Sequence, residues 1–254
     1  MRLRLVVPGY DDLRAGGASG LALTEYRPAF EDILRSETLY AYAARQPEAR
    51  QFSGRAPVYA VAIPGCGDVV IRHSMRGGLM GKTGSDLFLP PTRALREVVN
   101  SFRLRASGVS TPQVLAYATY SVFGVFRRAD VVTREITNSA DLASLLSVGA
   151  DRGSREAAVE ATARLIVGLT RAGAHHPDLN AMNVLLARGD AGSAAAYVLD
   201  VDRVRFHLPG DPMITQANIA RFLRSIEKWR RRGITLLAAD EERSLAARVT
   251  ELTA

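Results

Sequence analysis

The stretch that most restricts how this chain can fold runs from Ser154 to Asp200. It opens on SREAAVEATARLIVGLTR (154–171), where Val159, Ala163, Ile166 and Leu169 recur at helical spacing and form one apolar stripe. Ser154 is the expected cap and Glu156 falls in the first turn, so the pattern predicts a buried helix. HHPDLNAMNVLL (175–186) follows at once, a polar loop running into strand-forming residues. A second strand run, AYVLD, ends on Asp200, and pairing 183–186 with 196–200 as a hairpin brings Asn183 and Asp200 to the same end of one ribbon.

The remaining chain sorts around that unit. After an opening read as helical, APVYAVAI (56–63) and VVIRH (69–73) are β-type runs joined by PGCGD, whose Pro and Gly residues favour a tight turn. A helix is expected from Thr92, its candidate cap, with Leu95, Val98, Val99 and Phe102 on one face and Gly108 as the stop. Two further strands are expected near 113–117 and 121–134, and helices over 215–231 and 240–253. A strand-rich front and a mainly helical back make an α+β arrangement of two lobes, 1–138 and 139–254.

Composition limits the classes. No run of about 18 uninterrupted apolar residues is present, so a membrane-spanning helix is not expected. The opening MRLRLVVPG has an apolar core too short for a secretory signal, and a cytosolic location follows as the expectation. Cys66, the single cysteine, is read as a turn residue, with neither a disulfide nor a thiolate metal site in prospect. The net charge of +7 favours an anionic partner. Arg221, Arg224, Lys228 and Arg230–Arg232 read either as a solvated helix face or as a contact for anionic headgroups. The glycines of MRGGLMGK (75–82) miss the G-x-x-x-x-G-K-[ST] spacing and do not make a P-loop.

Asp178, Asn183 and Asp200 together supply two oxygen ligands for a hard cation and a carboxylate able to accept a proton, the set that phosphoryl transfer asks for. His176, Asp178, Leu179 and Asn183 match the protein-kinase loop pattern H-x-D-L-x-x-x-N, with Asp200 at the place of its magnesium aspartate. More narrowly, HHPDLNAMNVLL…YVLDVDRVRF resembles the lipopolysaccharide kinase family, its 3-deoxy-D-manno-octulosonic acid (Kdo) kinase branch in particular. VVIRHSMRGGLMGK and TRALREVVNSFRLRASGVSTPQVLAY are similar to that family's front half, so the likeness covers about residues 50–230.

The resemblance implies a two-lobed protein-kinase-like fold, with ATP and Mg²⁺ as cofactors. It makes Asp178 the catalytic base, braced by His176, and gives Asn183 and Asp200 to the metal. Glu97 stands for the kinase helix glutamate, and Arg72 takes the place of its lysine partner. Gly54, in SGRAP, fills the place of the glycine-rich nucleotide loop. Asp202 would either help hold metal or pair with Arg203. The implied acceptor is a sugar hydroxyl of a lipopolysaccharide or lipid A precursor. The implied location is peripheral, on the cytoplasmic face of a bacterial inner membrane, with no nucleic acid as partner. Two alternatives stay open: a phosphotransferase with another acceptor (heptose, a small molecule or a protein), and a kinase-like binding module without turnover, prompted by Arg72 and the thin glycine loop.

Overall fold

A computed structural model describes residues 6–52, 56–75, 86–90, 92–147, 149–189 and 193–253. The chain divides into two compact units, Met1–Phe102 with Gln113–Glu135, and Arg103–Pro112 with Ile136–Ala254.

In the first unit the opening is not helical throughout. It starts as a hairpin, β1 (Tyr10–Ala15) and β2 (Ala18–Leu23), before α1 (Arg27–Ser36) and α2 (Leu39–Arg45). Asp11, Asp12 and Arg14 give β1 little apolar alternation, and its strand state comes from pairing rather than pattern. There follow β3 (Arg50–Phe52), β4 (Val58–Ile63), β5 (Gly67–His73), α3 (Arg93–Ala106, of which the residues from Arg103 on fall in the second unit), β6 (Val114–Val122) and β7 (Phe126–Arg134). The seven strands form one antiparallel sheet in the order β1-β2-β6-β7-β5-β4-β3. The β4–β5 turn is the predicted one, with Gly65 and Gly67 at φ of 78° and 73°. Cys66 lies in that turn but is buried, and burial pushes its thiol pKa up.

Strand alternation assigns the two faces of the sheet. Ile71 and its cross-strand partner Val132 are buried with Phe30, Leu34 and Leu39 of the α1–α2 layer. One residue along, Val131 is buried with Ala94 and Val98 of α3. Arg72 is the register partner of Val131 and so faces α3.

The second unit continues with β8 (Ser139–Asp141), α4 (Leu142–Ser147), α5 (Arg152–Arg171), β9 (Ala174–His175), β10 (Val184–Arg188), β11 (Ala194–Val198), β12 (Arg205–Phe206), α6 (Pro212–Arg230) and α7 (Ala239–Thr253). Helix α5 begins earlier than its apolar stripe implies. Asp151, not Ser154, is the cap: its carboxylate accepts from the Ser154 backbone N–H at 3.0 Å and from the Ser154 hydroxyl at 2.6 Å. Likewise α6 starts at Pro212 under an Asp211 cap, because proline at a first helical position loses no bond. The predicted 183–200 hairpin forms as β10–β11, with β8 added on the β10 edge. Ala163, Ile166 and Leu169 of α5 share one buried cluster with Val184, Val198, Phe222 and Val249. Burying aliphatic side chains of this size contributes about 1.5–3 kcal/mol each. No helix among the described residues is long and apolar enough to cross a membrane.

Candidate active site

The chain leaves α5 through Gly173, at φ +64°, where a side chain would run into the carbonyl of His207. Two-residue pairing of β9 with β12 then sets the start of the loop. His176 is fully buried, which for an imidazole requires partners on every polar atom. Its backbone N–H donates to Asn218 Oδ1 at 3.0 Å, and Asn218 in turn donates through Nδ2 to the carbonyl of Ala174 at 2.9 Å. Around the ring, Nδ1 faces the Asp178 backbone N–H at 3.2 Å and Nε2 faces the Leu199 carbonyl at 3.0 Å. The amide can only donate and the carbonyl can only accept, so Nε2 carries the single ring proton. Burial lowers the His176 pKa, against the opposing pull of Leu199, Asp200 and Asp178, which keeps that neutral form. The histidine thus ties the loop to the residue that precedes Asp200.

Leu179, fully buried, pins the loop to the core. The carbonyl of Asp178 accepts from Asn180 Nδ2 at 2.8 Å and from Asn183 Nδ2 at 3.0 Å. With its amide nitrogen so committed, Asn183 keeps its Oδ1 available as an acceptor. Asn183 does not open the strand: it ends a 3₁₀ turn, Ala181–Asn183, capped by Asn180. Its carbonyl accepts from Leu199 N–H at 2.8 Å, closing the hairpin end at which Asp200 emerges. Asp200 itself is exposed and lies at φ 57°, ψ 45°, the left-handed region that a non-glycine residue adopts only when its surroundings impose it.

One contact was invisible in the spacing. Arg221 of α6 donates through Nη2 to Asp178 Oδ1 at 2.6 Å and through Nε to the Pro177 carbonyl at 3.0 Å. It is half-buried and engaged, not part of a solvated face. Arg230 and Arg231 of the same run pair with Glu227, and Arg230 also with Glu242. Asn218 was missed as well, although an amide between Ile214 and Phe222 on the buried row of α6 is a legible oddity.

In the first unit, the Arg72 guanidinium pairs with Glu97, whose residue is buried at 7% exposure. Next to it, His73 Nδ1 meets Asp130 Oδ1 at 2.6 Å, with Asp86 at 3.6 Å on the other side of the ring. The structure therefore joins Arg72 with Glu97, and His176 with Asp178, Asn183 and the residue before Asp200. Gly54 and residues 76–85 of the glycine-rich segment lie outside the described residues.

This is a kinase-like fold. It matches the solved structure "WaaP in complex with acyl carrier protein" with a TM-score of 0.53 at 17% identity, over 84% of this chain and 81% of that one. The chain belongs to the lipopolysaccharide kinase (Kdo/WaaP) family, whose model matches residues 45–247. It is 34% identical over 181 residues to a 3-deoxy-D-manno-octulosonic acid kinase of Stenotrophomonas maltophilia, covering 70% of this chain and 68% of that protein. A protein of the same name from Vibrio parahaemolyticus is 29% identical over 197 residues, covering 73% and 78% respectively. Membership makes the chain a kinase, an enzyme that transfers phosphate from ATP.

Proposed function

We propose that this kinase transfers the γ-phosphate of ATP to a hydroxyl of Kdo, or of another inner-core sugar, on a lipopolysaccharide precursor at the inner face of the bacterial inner membrane. The observation that carries the reading is the Asp178 loop: one carboxylate oxygen is held by Arg221, and among the described residues the other has no partner. A carboxylate fixed at one oxygen can orient an attacking hydroxyl with the other and accept its proton. His176 braces that loop through three hydrogen bonds to the backbone and to Asn218.

The residues present fit Mg²⁺. Asn183 Oδ1 and the Asp200 carboxylate are hard oxygen acceptors without hydrogen-bond partners among the described residues. No group of three His, Cys, Asp or Glu among those residues would hold a metal alone. Two protein oxygens suit an ion that draws its other ligands from phosphates and water. Bound there, Mg²⁺ would neutralise the negative charge of the β- and γ-phosphates. Arg72, aimed by Glu97, supplies a planar cation for phosphate oxygens in place of lysine.

Incubation of the full chain with ATP, Mg²⁺ and Kdo-lipid A, read by mass spectrometry, should add one phosphate to the glycolipid. Asp178→Asn should lower the rate by about 10²–10⁴-fold, and Asp200→Asn should remove the Mg²⁺-dependence of ATP binding. No product from any inner-core acceptor would refute the substrate assignment.

A further inference from the structure

The β6–β7 turn carries an apolar tip that the kinase reading does not use. Phe123 is 89% exposed and Val125 60%, with Phe126 beside them. Phe123 also sits at φ 48°, a backbone region where a bulky side chain is a rare outlier. Antiparallel bridging of Phe88 to Arg127 lays a further apolar residue, Leu89, 56% exposed, along the Phe126 side of the turn.

Three carbonyls of this tip, those of Phe123, Gly124 and Phe126, are satisfied from within the turn. Arg127 Nη1 donates to the carbonyls of Gly124 at 3.2 Å and Phe126 at 2.9 Å, and to Ser121 Oγ at 2.9 Å. The Phe123 carbonyl accepts from Val125 N–H at 2.9 Å. Carbonyls satisfied from within lose little on leaving water, whereas open ones would resist transfer into an apolar phase. Arg127 has no acidic partner among the described residues, so its charge remains available; Arg128 pairs with Asp86 at 2.5 Å. Apolar side chains at the apex with a cation one step behind is the order of chemistries across the boundary of an anionic bilayer.

We propose that this tip is a lipid-insertion element, in which Phe123, Val125, Phe126 and Leu89 enter the acyl boundary of an anionic membrane and Arg127 meets headgroup phosphates. The inference rests on the reading that the acceptor is carried by a membrane lipid, and it locates the contact on the β6–β7 turn rather than on α6.

The test is sedimentation of the full chain, without nucleotide or acceptor, with vesicles of phosphatidylglycerol and phosphatidylethanolamine. Phe123→Asn/Val125→Ser suits the left-handed turn, and its melting temperature should match or exceed that of the parent. Its vesicle affinity should fall tenfold or more. As a second readout, the emission that Phe123→Trp adds to that of Trp229 should shift to the blue on vesicle addition. Equal binding by parent and double variant, no binding by the parent, or a tip that engages an acidic carrier protein but not vesicles would each overturn the proposal. Vesicle binding by the parent that the double variant loses, with no glycolipid phosphorylated in the separate ATP assay, would uphold the insertion element and refute the glycolipid-acceptor assignment instead.

Discussion

Replacing Arg221 by methionine keeps much of the side chain's length and removes both of its contacts with the loop, at 2.6 Å to Asp178 Oδ1 and 3.0 Å to the Pro177 carbonyl. The two side chains are 26% and 38% exposed, so water screens the pair and its loss should cost about 1 kcal/mol of stability. For a chain of this size that lowers the melting temperature by about 2–4 °C. The rate responds more strongly. Freed from the guanidinium, the carboxylate loses the grip that fixes its orientation. A displacement of about 1 Å at a reacting group can cost 10²-fold. The kcat should therefore fall about 10–100-fold with the KM for ATP little changed. Arg221→Lys restores a charge near Oδ1 but not the second bond to Pro177, so it should recover part of the loss. Transfer from labelled ATP to the glycolipid, measured alongside a thermal melt, separates the cases. A melting temperature lowered as expected with kcat within about threefold of the parent would reduce Arg221 to a structural residue.

Other outcomes follow from the first unit. Arg72→Met strands the buried Glu97 carboxylate and should cost about 3 kcal/mol by chemical denaturation, whereas Arg72→Lys should cost distinctly less. For His73, burial by itself lowers the pKa, but the hydrogen bond and charge of Asp130, with Asp86 beyond, outweigh it and the pKa is raised. Its protonated form therefore contributes stability in full below the ordinary histidine value, and that contribution is lost as pH rises through the folded value. The stability advantage of the parent over His73→Asn should thus be largest near pH 6 and shrink at alkaline pH, read from melts across that range.

The local chemistry of the loop could be read from the order of residues, because it depends on short separations. Asp178 and Asn183 share a carbonyl-centred hydrogen bond within one turn of chain, and the β10–β11 register follows from two adjacent strand runs. Helix α5 was equally legible from its apolar period, but its start was not, since Asp151 caps from outside the stripe. What only the tertiary structure decided lies at long separation. Asn218 and Arg221 reach the loop from α6 because Phe222 and Ile226 anchor that helix in the core and turn its neighbouring residues toward His176 and Asp178. The charged β1 strand likewise has its state set by pairing with β2, and β2 by pairing with β6. Spacing along a chain encodes contacts within a turn or a hairpin; contacts between elements far apart in sequence depend on which faces the core leaves free, and that is settled only when the whole unit packs.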